Sequence, residues 1–334
     1  MDTLIISVSI GSGHTKAGEA LAKRLEKQGQ HVEHIDFLNF VPGLIKQSLR
    51  GSYNFLTYRT PSIWKFLFDA SNNQLSSKIT NELSSIALGA TTFKLKQYIE
   101  DNSPDKIICT HFFPPPVILN HFNLDIETCT LITDYGAHQV WTHPNISKYF
   151  VAAKTTKQQL TRLGAPKEKI EVTGIPTDPK FEQKEPKDEI LNKINLPEQK
   201  TILILSGGQG LAQIDNIIKK LLKIKQSYNL VAVAGKNSSL ERKIKNIKSP
   251  DHIHYKPLGW TDKIAQYMKV SEMVISKPGG MTTAECIKTK TPLLAFSPIP
   301  GQEELNAEYI IENNHGWLAK NEEDVMEKTK EVLG

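Results

Sequence analysis

The sequence predicts an α/β protein made of two Rossmann-like domains that face a common cleft. The chain has 334 residues, a length that suits two domains of about 150 residues each. Apolar runs of strand length alternate with segments of helical period along most of the chain. A strand, a glycine turn and a helix open each half, first at Leu4 and again at Thr201. In such sheets ligands bind at the carboxyl ends of the strands, so the functional residues are expected in the loops after strands.

The first half predicts one strand, helix and strand unit followed by further strands. An apolar strand over 4–10 leads into a glycine loop over 11–13 and a helix from about His14, and a second strand covers 31–36. The later strands are expected over 106–109, 128–133, 149–153 and 170–173. Continuously apolar strands of this kind fit a parallel sheet that is covered on both faces.

The second half repeats this beginning. A strand over 201–205, a glycine loop over 206–210 and a helix over 214–224 come first. Further strands are expected over 230–234, 252–255, 273–276 and 292–296. The polar, proline-rich stretch over 174–199 breaks the pattern and predicts the linker and a helix start, with domains over 1–176 and 177–334.

Composition excludes several classes of protein. Three widely spaced cysteines, Cys109, Cys129 and Cys286, argue against a disulfide framework and a zinc site and fit a reducing compartment. The N-terminus lacks the basic region and cleavage site of a signal peptide. No apolar run reaches the roughly 18 residues of a membrane span, so any membrane contact should be peripheral. A net charge of +5 spread over the chain does not predict a nucleic-acid partner.

The segment over 37–68 predicts contact with an anionic membrane. It contains no acidic residue, and it interleaves the cations Lys46, Arg50, Arg59 and Lys65 with aromatic side chains. An apolar stripe at helical spacing is formed by Val41, Ile45, Leu49, Tyr53 and Leu56. Interfacial aromatics and cations favour anionic lipid. The alternative is an ordinary aromatic core beneath a surface helix, and Gly43 and Gly51 argue against one long helix.

The first glycine loop, Gly11-Ser12-Gly13-His14, lies at a predicted helix N-terminus. With Asp36 closing the second strand it has part of the NAD fingerprint, but the next glycine, Gly18, comes too late for that motif. There are two other interpretations. One is a turn without a ligand, and the other, which is favoured, is an acceptor or phosphate site at the helix N-terminus. The helix dipole should disfavour a charged His14 and leave its ring able to accept a proton.

Three loops of the second half predict a nucleotide-sugar site. Ser276 to Glu285 follows a strand and opens a helix, so the backbone N–H groups of residues 280–283 can bind a diphosphate and Glu285 can bind ribose hydroxyls. Residues 298–306 offer an amide and carboxylates for a sugar. Trp260, in a turn after Gly259, offers a plane for a nucleobase, although a lone tryptophan is by default a core residue.

These motifs resemble the monogalactosyldiacylglycerol synthase and processive diacylglycerol glucosyltransferase family, inverting UDP-sugar transferases of the GT-B fold. The resemblance covers most of the chain. It rests on 11–14, 133–138 with Trp141 and 143–144, 174–176, 207–210, and above all 276–280 and 300–303. The loop Gly-Ser-Gly-His replaces the family's usual Gly-Gly-Gly-His, and the chain ends at Gly334, earlier than the family pattern leads us to expect. An abbreviated C-terminal helix is therefore expected.

The resemblance implies that 1–176 bind the acceptor and the membrane and that 177–334 bind UDP-sugar. The implied donor-binding residues are Gly207, Gly208, Gln209, Trp260, Gly279, Gly280, Met281, Thr282, Glu285, Gln302, Glu303 and Asn306. The implied acceptor-binding residues are Gly11, Gly13, His111 and His138. No cofactor or obligatory metal is expected, because no Asp-x-Asp follows a strand. The implied location is cytoplasmic, peripheral on the inner face of the cell membrane.

The catalytic residues are expected at the strand ends of the first domain. His14, Asp134, His111 and His138 all qualify by position. An unperturbed pKa near 6.5 makes His14 the preferred base, whereas an exposed Asp134 would be a weak one and is expected to orient a histidine or the acceptor.

The expected reaction is transfer of a hexose from a UDP-sugar to a membrane lipid, diacylglycerol above all. One alternative is a UDP-N-acetylglucosamine transferase that acts on a polyprenyl-diphosphate-linked acceptor. A non-catalytic nucleotide-sugar binding subunit and an NAD-dependent oxidoreductase are the others. An NAD-dependent oxidoreductase would have no role for the glycine-rich loops of the second half of the chain.

Overall fold

The computed structural model describes residues 1–73, 78, 82, 92–207 and 214–334, with the backbone alone at 50, 53, 54 and 58. It divides into two compact units. The N-terminal unit contains Met1–Asp178 together with Ile299–Leu305, and the C-terminal unit contains Pro179–Pro298 and Asn306–Gly334.

Within the described residues, the N-terminal unit is built on six parallel strands in the order β2-β1-β3-β4-β5-β6. The strands are β1 Thr3–Ser7, β2 Val32–Asp36, β3 Lys106–Cys109, β4 Glu127–Leu131, β5 Lys148–Val151 and β6 Ile170–Val172. The helices are α1 Gly13–Lys27, α2 Gly43–Asn54, α3 Pro61–Ser71, α4 Phe93–Asn102, α5 Pro114–His121 and α6 Lys154–Arg162. The predicted doubly wound sheet is confirmed, and β1 ends earlier than expected, at Ser7 rather than residue 10.

Helix α1 lies unusually close to the sheet at Gly18. A Cβ atom at this position would lie 2.5 Å from Ser7 Oγ and 2.6 Å from His34 Nε2. Those two polar atoms are 2.7 Å apart and lie on β1 and β2. Only a residue without a side chain therefore lets α1 pack here, and this packing sets where the first residues of the helix lie.

The segment after β2 forms helices rather than one long helix. Asp36 caps a short 3₁₀ turn by accepting a hydrogen bond from Leu38 N. Helix α2 continues into a π-helical turn, Phe55–Arg59, and Pro61 then opens α3. Proline has no N–H to donate and is tolerated in the first turn of a helix, so it separates the two helices.

The C-terminal unit repeats the architecture. Its described strands are parallel and run in the order β12-β11-β10-β7-β8-β9. They are β7 Thr201–Leu205, β8 Tyr228–Val233, β9 Ile253–Leu258, β10 Met273–Ser276, β11 Leu293–Phe296 and β12 Gly316–Ala319. Strand β12 was not predicted from the sequence. It is a short edge strand, and its four residues show no clear alternation of buried and exposed side chains.

The helices of this unit cover both faces of its sheet. They are α7 Lys187–Ile194, α8 Asp215–Leu221, α9 Ser238–Lys245, α10 Ile264–Val270, α11 Gly280–Thr289, α12 Gln302–Glu312 and α13 Glu322–Leu333. Helix α7 lies inside the stretch expected to be the linker. Two buried apolar clusters form the core, one around Ile202 and Ile204 and the other around Leu203 and Leu205. Alternate residues of β7 thus face opposite helical layers.

Among the described residues, no helix combines the length and the apolar character that crossing a bilayer requires.

Candidate active site

Three neighbouring strands of the N-terminal unit bring the predicted catalytic residues together. His14 follows β1, His111 follows β3 and Asp134 follows β4, and these strands are adjacent in the order β1-β3-β4. Because the strands are parallel, their carboxyl ends meet at one edge of the sheet. The ring centroids of His14 and His111 are 4.5 Å apart.

The imidazole of His14 is held in one orientation by two groups that the sequence analysis did not identify. Its Nδ1 lies 2.8 Å from the carbonyl oxygen of Thr110 and 2.9 Å from Thr133 Oγ1. A carbonyl oxygen can only accept, so Nδ1 carries the proton and donates it. In the neutral ring the lone pair is therefore on Nε2, the nitrogen that can remove a proton from a substrate.

The backbone of His14 is also fixed. The hydroxyl of Thr110 donates to the carbonyl oxygen of His14 at 3.0 Å. Ser7 Oγ lies 3.2 Å from the same carbonyl and 2.9 Å from Thr110 Oγ1. Thr110 thus binds both the ring and the main chain of His14, so the residue has little freedom to move.

Burial keeps the two adjacent histidines, His14 and His111, neutral. It lowers the pKa of His14, and the negative charge of Asp134 and the Thr110 carbonyl partly oppose this effect. Burial lowers the pKa of His111 much further, and the adjacent His14 adds to the shift. His111 Nδ1 accepts a hydrogen bond from Phe113 N at 3.2 Å, which places the proton of its neutral ring on Nε2.

Asp134 differs from the expectation. The sequence analysis treated it as exposed, but it is buried, with 7% of its surface accessible. Its Oδ2 accepts a hydrogen bond from Gln302 Nε2 at 3.0 Å. Gln302, which the resemblance assigned to the donor sugar, therefore also orients the carboxylate next to His14 within the N-terminal unit.

His138 has a different environment from that expected of an acceptor-binding residue. Its Nδ1 accepts from Val140 N at 3.2 Å, and its Nε2 donates to the carbonyl of Phe68 at 2.8 Å. Its ring also packs on Phe68, with centroids 4.3 Å apart. Nε2 joins the loop after β4 to helix α3, and Nδ1 is used within the loop itself, so His138 offers a substrate only its ring surface.

An apolar cavity of about 340 Å³ lies beside these residues. His14, His111, Asp134, His138 and Gln302 contribute to its wall. Most of the remaining wall is apolar and comes from two places. Helices α2 and α3 and the π turn between them provide Leu49, Leu56, Trp64, Leu67 and Phe68, and the strand-end loops provide Phe112, Phe113, Val140 and Trp141. The sequence analysis did not identify this aromatic lining, although Phe112 and Phe113 follow β3 directly.

The predicted membrane stripe faces inward. Val41 is buried, and Ile45 and Leu49 pack against the core of the unit, while Leu56 lines the cavity. The side chain of Tyr53 lies outside the described residues. The exposed apolar side chains of this segment are a different set: Leu44, Phe55, Ile63, Phe66 and Leu67. The prediction that this stripe docks on the membrane surface is wrong for its described members, because they lie on the inner face of the segment.

Gly11, Gly13 and Asp36 have structural roles around the first glycine loop. Gly11 has a φ of +83°, a conformation that favours glycine. Gly13 is the first residue of α1. The carboxylate oxygens of Asp36 accept hydrogen bonds from Ser9 N, Ser9 Oγ and Leu38 N. A ribose-binding role for Asp36, as the NAD alternative requires, would have to displace these bonds.

In the C-terminal unit, the loop after β10 has the expected form. Gly279 is the N-cap of α11 and provides no side-chain cap for the first N–H groups of the helix. Gly280 and Met281 are buried, Thr282 is half-buried and Glu285 is buried, with 6% of its surface accessible. Uncapped N–H groups at a helix N-terminus favour an anion.

The other predicted donor-binding residues vary in their surroundings. Trp260 is exposed, with 64% of its surface accessible, so it is not a core residue. Gly207 follows β7 with a φ of +82°, and residues 208 and 209, two further predicted donor-binding positions, lie outside the described residues. The Glu303 carboxylate accepts from Ile299 N at 2.6 Å, and Asn306 is fully buried. Within the described part of the chain, no group of three His, Cys, Asp or Glu residues is placed to bind a metal.

Comparison with known proteins identifies two family models along the chain. The model described as monogalactosyldiacylglycerol (MGDG) synthase matches residues 14–177. The model described as glycosyltransferase family 28 C-terminal domain matches residues 201–333.

Individual relatives match nearly the whole chain. The processive diacylglycerol beta-glucosyltransferase of Staphylococcus epidermidis is 30% identical over 95% of this chain and 80% of its own length. The protein of the same name from Bacillus pumilus is 28% identical over 99% of this chain and 86% of its own. Among solved structures, MurG of Acinetobacter baumannii superimposes with a TM-score of 0.61 at 13% identity, covering 100% of this chain and 91% of its own.

The two sheets and the structural similarity show the GT-B fold, which confirms the predicted fold. The chain belongs to the family of monogalactosyldiacylglycerol synthases and processive diacylglycerol glucosyltransferases. The family predicted from the sequence motifs is thereby confirmed, as is the assignment to the enzymes that transfer hexoses.

We expect acid to destabilise the fold through its buried and half-buried histidines. Burial lowers the pKa of His14, His34, His111, His138 and His143 below 6.5. Between each folded pKa and 6.5 the unfolded chain binds more protons, so this contribution to stability is complete above pH 6.5 and is lost as the pH falls, by up to about 1.4 kcal/mol per pH unit for each histidine. Thermal unfolding at pH 7.5 and 5.5 measures it. His111→Asn should reduce the difference in Tm, and an unchanged difference would contradict the assignment.

Proposed function

We propose that the protein is an inverting glycosyltransferase that moves a hexose from a UDP-sugar to the free hydroxyl of diacylglycerol. The observation that carries this proposal is the neutral imidazole of His14, with its lone pair on Nε2, in the wall of an apolar cavity beside a buried carboxylate. A base in an apolar cavity suits an alcohol that carries hydrocarbon chains. The names of the relatives support the same acceptor.

In the proposed reaction, Nε2 of His14 removes the hydroxyl proton as the acceptor oxygen attacks the anomeric carbon of the sugar. The new C–O bond forms on one face while the bond to the UDP oxygen breaks on the other, so UDP leaves with the electron pair and the configuration inverts. His14 becomes an imidazolium. The charge of Asp134, which already raises the pKa of His14 against the effect of burial, stabilises that cation.

The hydrogen bonds of His14 prepare it for this step. Thr110 and Thr133 keep the proton on Nδ1, so the ring need not change tautomer or turn before it accepts a second proton. Gln302 holds the carboxylate of Asp134 in place. The role of base therefore belongs to His14 and that of charge stabilisation to Asp134.

We propose that the C-terminal unit binds the donor. Support comes from the uncapped first turn of α11, the buried Glu285 and the exposed Trp260, which suit a diphosphate, a ribose and a uracil. Backbone N–H groups can offset the diphosphate charge, so we propose that no metal is obligatory.

A diphosphate-linked acceptor fits the cavity less well. Among the described residues, none of those lining it is lysine or arginine, the side chains that usually bind a diphosphate. A non-catalytic binding subunit would have no use for the bonds that hold His14 and Asp134. These observations favour a neutral lipid acceptor and an active enzyme.

We also propose that the protein docks on the anionic surface of the cytoplasmic membrane through helices α2 and α3. The exposed side chains of Leu44, Phe55, Ile63 and Phe66 form an apolar surface in the acid-free segment. Scattered exposed residues are common, but four bulky ones within 23 positions, accompanied by cations, are typical of interfacial helices. This docking surface, defined by those four residues, replaces the stripe named from the sequence.

The catalytic assignment predicts the effect of His14→Ala. Turnover of UDP-glucose, UDP-galactose or UDP-N-acetylglucosamine with diacylglycerol vesicles should fall about 100-fold or more, the usual contribution of a general base, while UDP binding is unchanged. His254→Ala, at an exposed histidine of the C-terminal unit, is the matched control. Near-normal turnover of His14→Ala together with loss in Asp134→Asn would assign the base to the carboxylate.

The donor assignment predicts that Glu285→Gln raises KM for the UDP-sugar by about tenfold or more, because a hydrogen bond to a charged group contributes about 1.5–3 kcal/mol. Steady-state kinetics with the donor varied measures this change, and an unchanged KM removes Glu285 from the donor site. The same assays in excess EDTA should retain full activity, and loss of activity would show that a metal is required.

The docking surface predicts that Leu44→Ser, Phe55→Ser and Phe66→Ser together release the protein from anionic vesicles in a sedimentation assay. Arg59→Glu should act in the same direction. Lys65 is a poor choice for charge reversal because its Nζ lies 2.8 Å from Glu304 Oε2. Ile311→Ser with Leu318→Ser, two exposed apolar residues of the C-terminal unit, is the control. If the triple variant and the control variant sediment equally with the vesicles, the docking surface does not bind the membrane.

A further inference from the structure

We infer that the cavity is an acyl-chain site that receives the glycerol end and the first part of one acyl chain of the acceptor, lifted out of the bilayer. This inference rests on the proposed function and adds to it a specific place for the hydrocarbon. The wall of the cavity, its place beside the docking surface and its volume all support it.

The wall separates into a reactive part and a hydrocarbon part. Asp134 and Gln302 are hydrogen-bonded to each other, and the ring of His14 packs against that of His111. These groups come from the strand ends and from the first residue of α12. The side chains from α2, α3 and the turn between them are mainly aliphatic or aromatic, and Ser71 Oγ already donates to the Leu67 carbonyl of its own helix. A ligand that contacts both parts must have a hydroxyl and an apolar body.

The cavity wall borders the docking surface. Leu67 lines the cavity and yet 45% of its surface is accessible. Its neighbour Phe66 and Ile63, one turn earlier in α3, belong to the docking surface. In the π turn, Leu56 lines the cavity while the adjacent Phe55 is exposed. The same two segments therefore carry apolar side chains both in the cavity wall and on the outside, so an acyl chain that enters beside Leu67 would stay in contact with apolar side chains.

The volume limits how much lipid can enter. A cavity of about 340 Å³ lies at the small end of the range for small-molecule sites, which is about 300–1,000 Å³. It suits glycerol and the first part of one acyl chain better than two complete long chains. The remainder of the acceptor must stay at the membrane, which agrees with a cavity whose wall borders the docking surface.

A chain-length series on the wild-type protein tests the inference. Diacylglycerols with butanoyl, pentanoyl and hexanoyl chains are compared at concentrations where they are monomeric, so that a bilayer does not compete for them. KM should fall by up to about fourfold for each methylene that enters the cavity, the transfer free energy of one CH₂ group. It should stop falling once the cavity is full. A KM independent of chain length would overturn the acyl-chain site.

A substitution that fills the cavity can be compared with a matched substitution outside it. Leu56→Trp places a larger side chain in the cavity and should raise KM for the hexanoyl acceptor at least tenfold while KM for the UDP-sugar is unchanged. Phe93→Trp, at an exposed position of α4 outside the cavity wall and the docking surface, should leave both constants as in the wild type. If Leu56→Trp and Phe93→Trp behave alike toward the hexanoyl acceptor, the cavity does not hold the chain.

Quenching of the cavity tryptophans keeps the test independent of how Leu56→Trp folds. Trp64 and Trp141 line the cavity, so Trp260→Phe with Trp317→Phe leaves them as the only fluorophores of this type. A monomeric acceptor brominated near the glycerol should quench their emission, and the unbrominated acceptor should compete. No quenching, with transfer to diacylglycerol by the wild-type protein intact, overturns the acyl-chain site and leaves the proposed function standing. No transfer to any diacylglycerol by the wild-type protein overturns the proposed function itself.

Discussion

The hydrogen bond between His14 Nδ1 and the carbonyl of Thr110 is the contact on which the candidate site depends. It fixes which nitrogen carries the proton, and it joins the start of α1 to the end of β3. It can form only because α1 lies close to the sheet, where Gly18 leaves room for Ser7 and His34. A side chain at position 18 would therefore shift the start of α1 and the ring of His14 with it, since interiors are close-packed and transmit such shifts.

Much of this arrangement could be predicted from the sequence, and the reason is geometric. Parallel strands place their carboxyl ends at one edge, so His14, His111 and Asp134 had to lie near one another once the strands were recognised. Their partners could not be predicted in the same way. Gln302 is 168 positions from Asp134, and the Thr110 carbonyl is a backbone group that no motif marks. Asp134 is buried by residues that are distant in the sequence. Because the motifs do not reveal such residues, Asp134 was expected to be exposed.

The segment over 37–71 shows a second limit. Its apolar residues occur on more than one side of each helix, so the periodicity identifies helices without deciding which side meets the core. Val41, Ile45 and Leu49 could be chosen as a stripe from their spacing, and they are indeed on one face, but that face is inside. Leu44 falls between the expected positions and Phe66 lies beyond them, and both are exposed. Tertiary packing decided between two apolar sides that spacing alone treats as equal.

One property of the cavity serves both recognition and chemistry. Its apolar wall suits a hydrocarbon chain, and the same lack of water lowers the pKa of His14 so that the ring is neutral and ready to accept a proton. In the proposed reaction, burial alone would also make the imidazolium of His14 costly. Asp134 would offset this cost because its charge acts most strongly where water is scarce. In the proposed complex, an acceptor chain that fills the cavity excludes the remaining water, and it thereby strengthens the attraction between Asp134 and the imidazolium at the moment when the proton moves. The lipid substrate is then part of the electrostatic environment of its own reaction, since a short or missing chain leaves water between the charges.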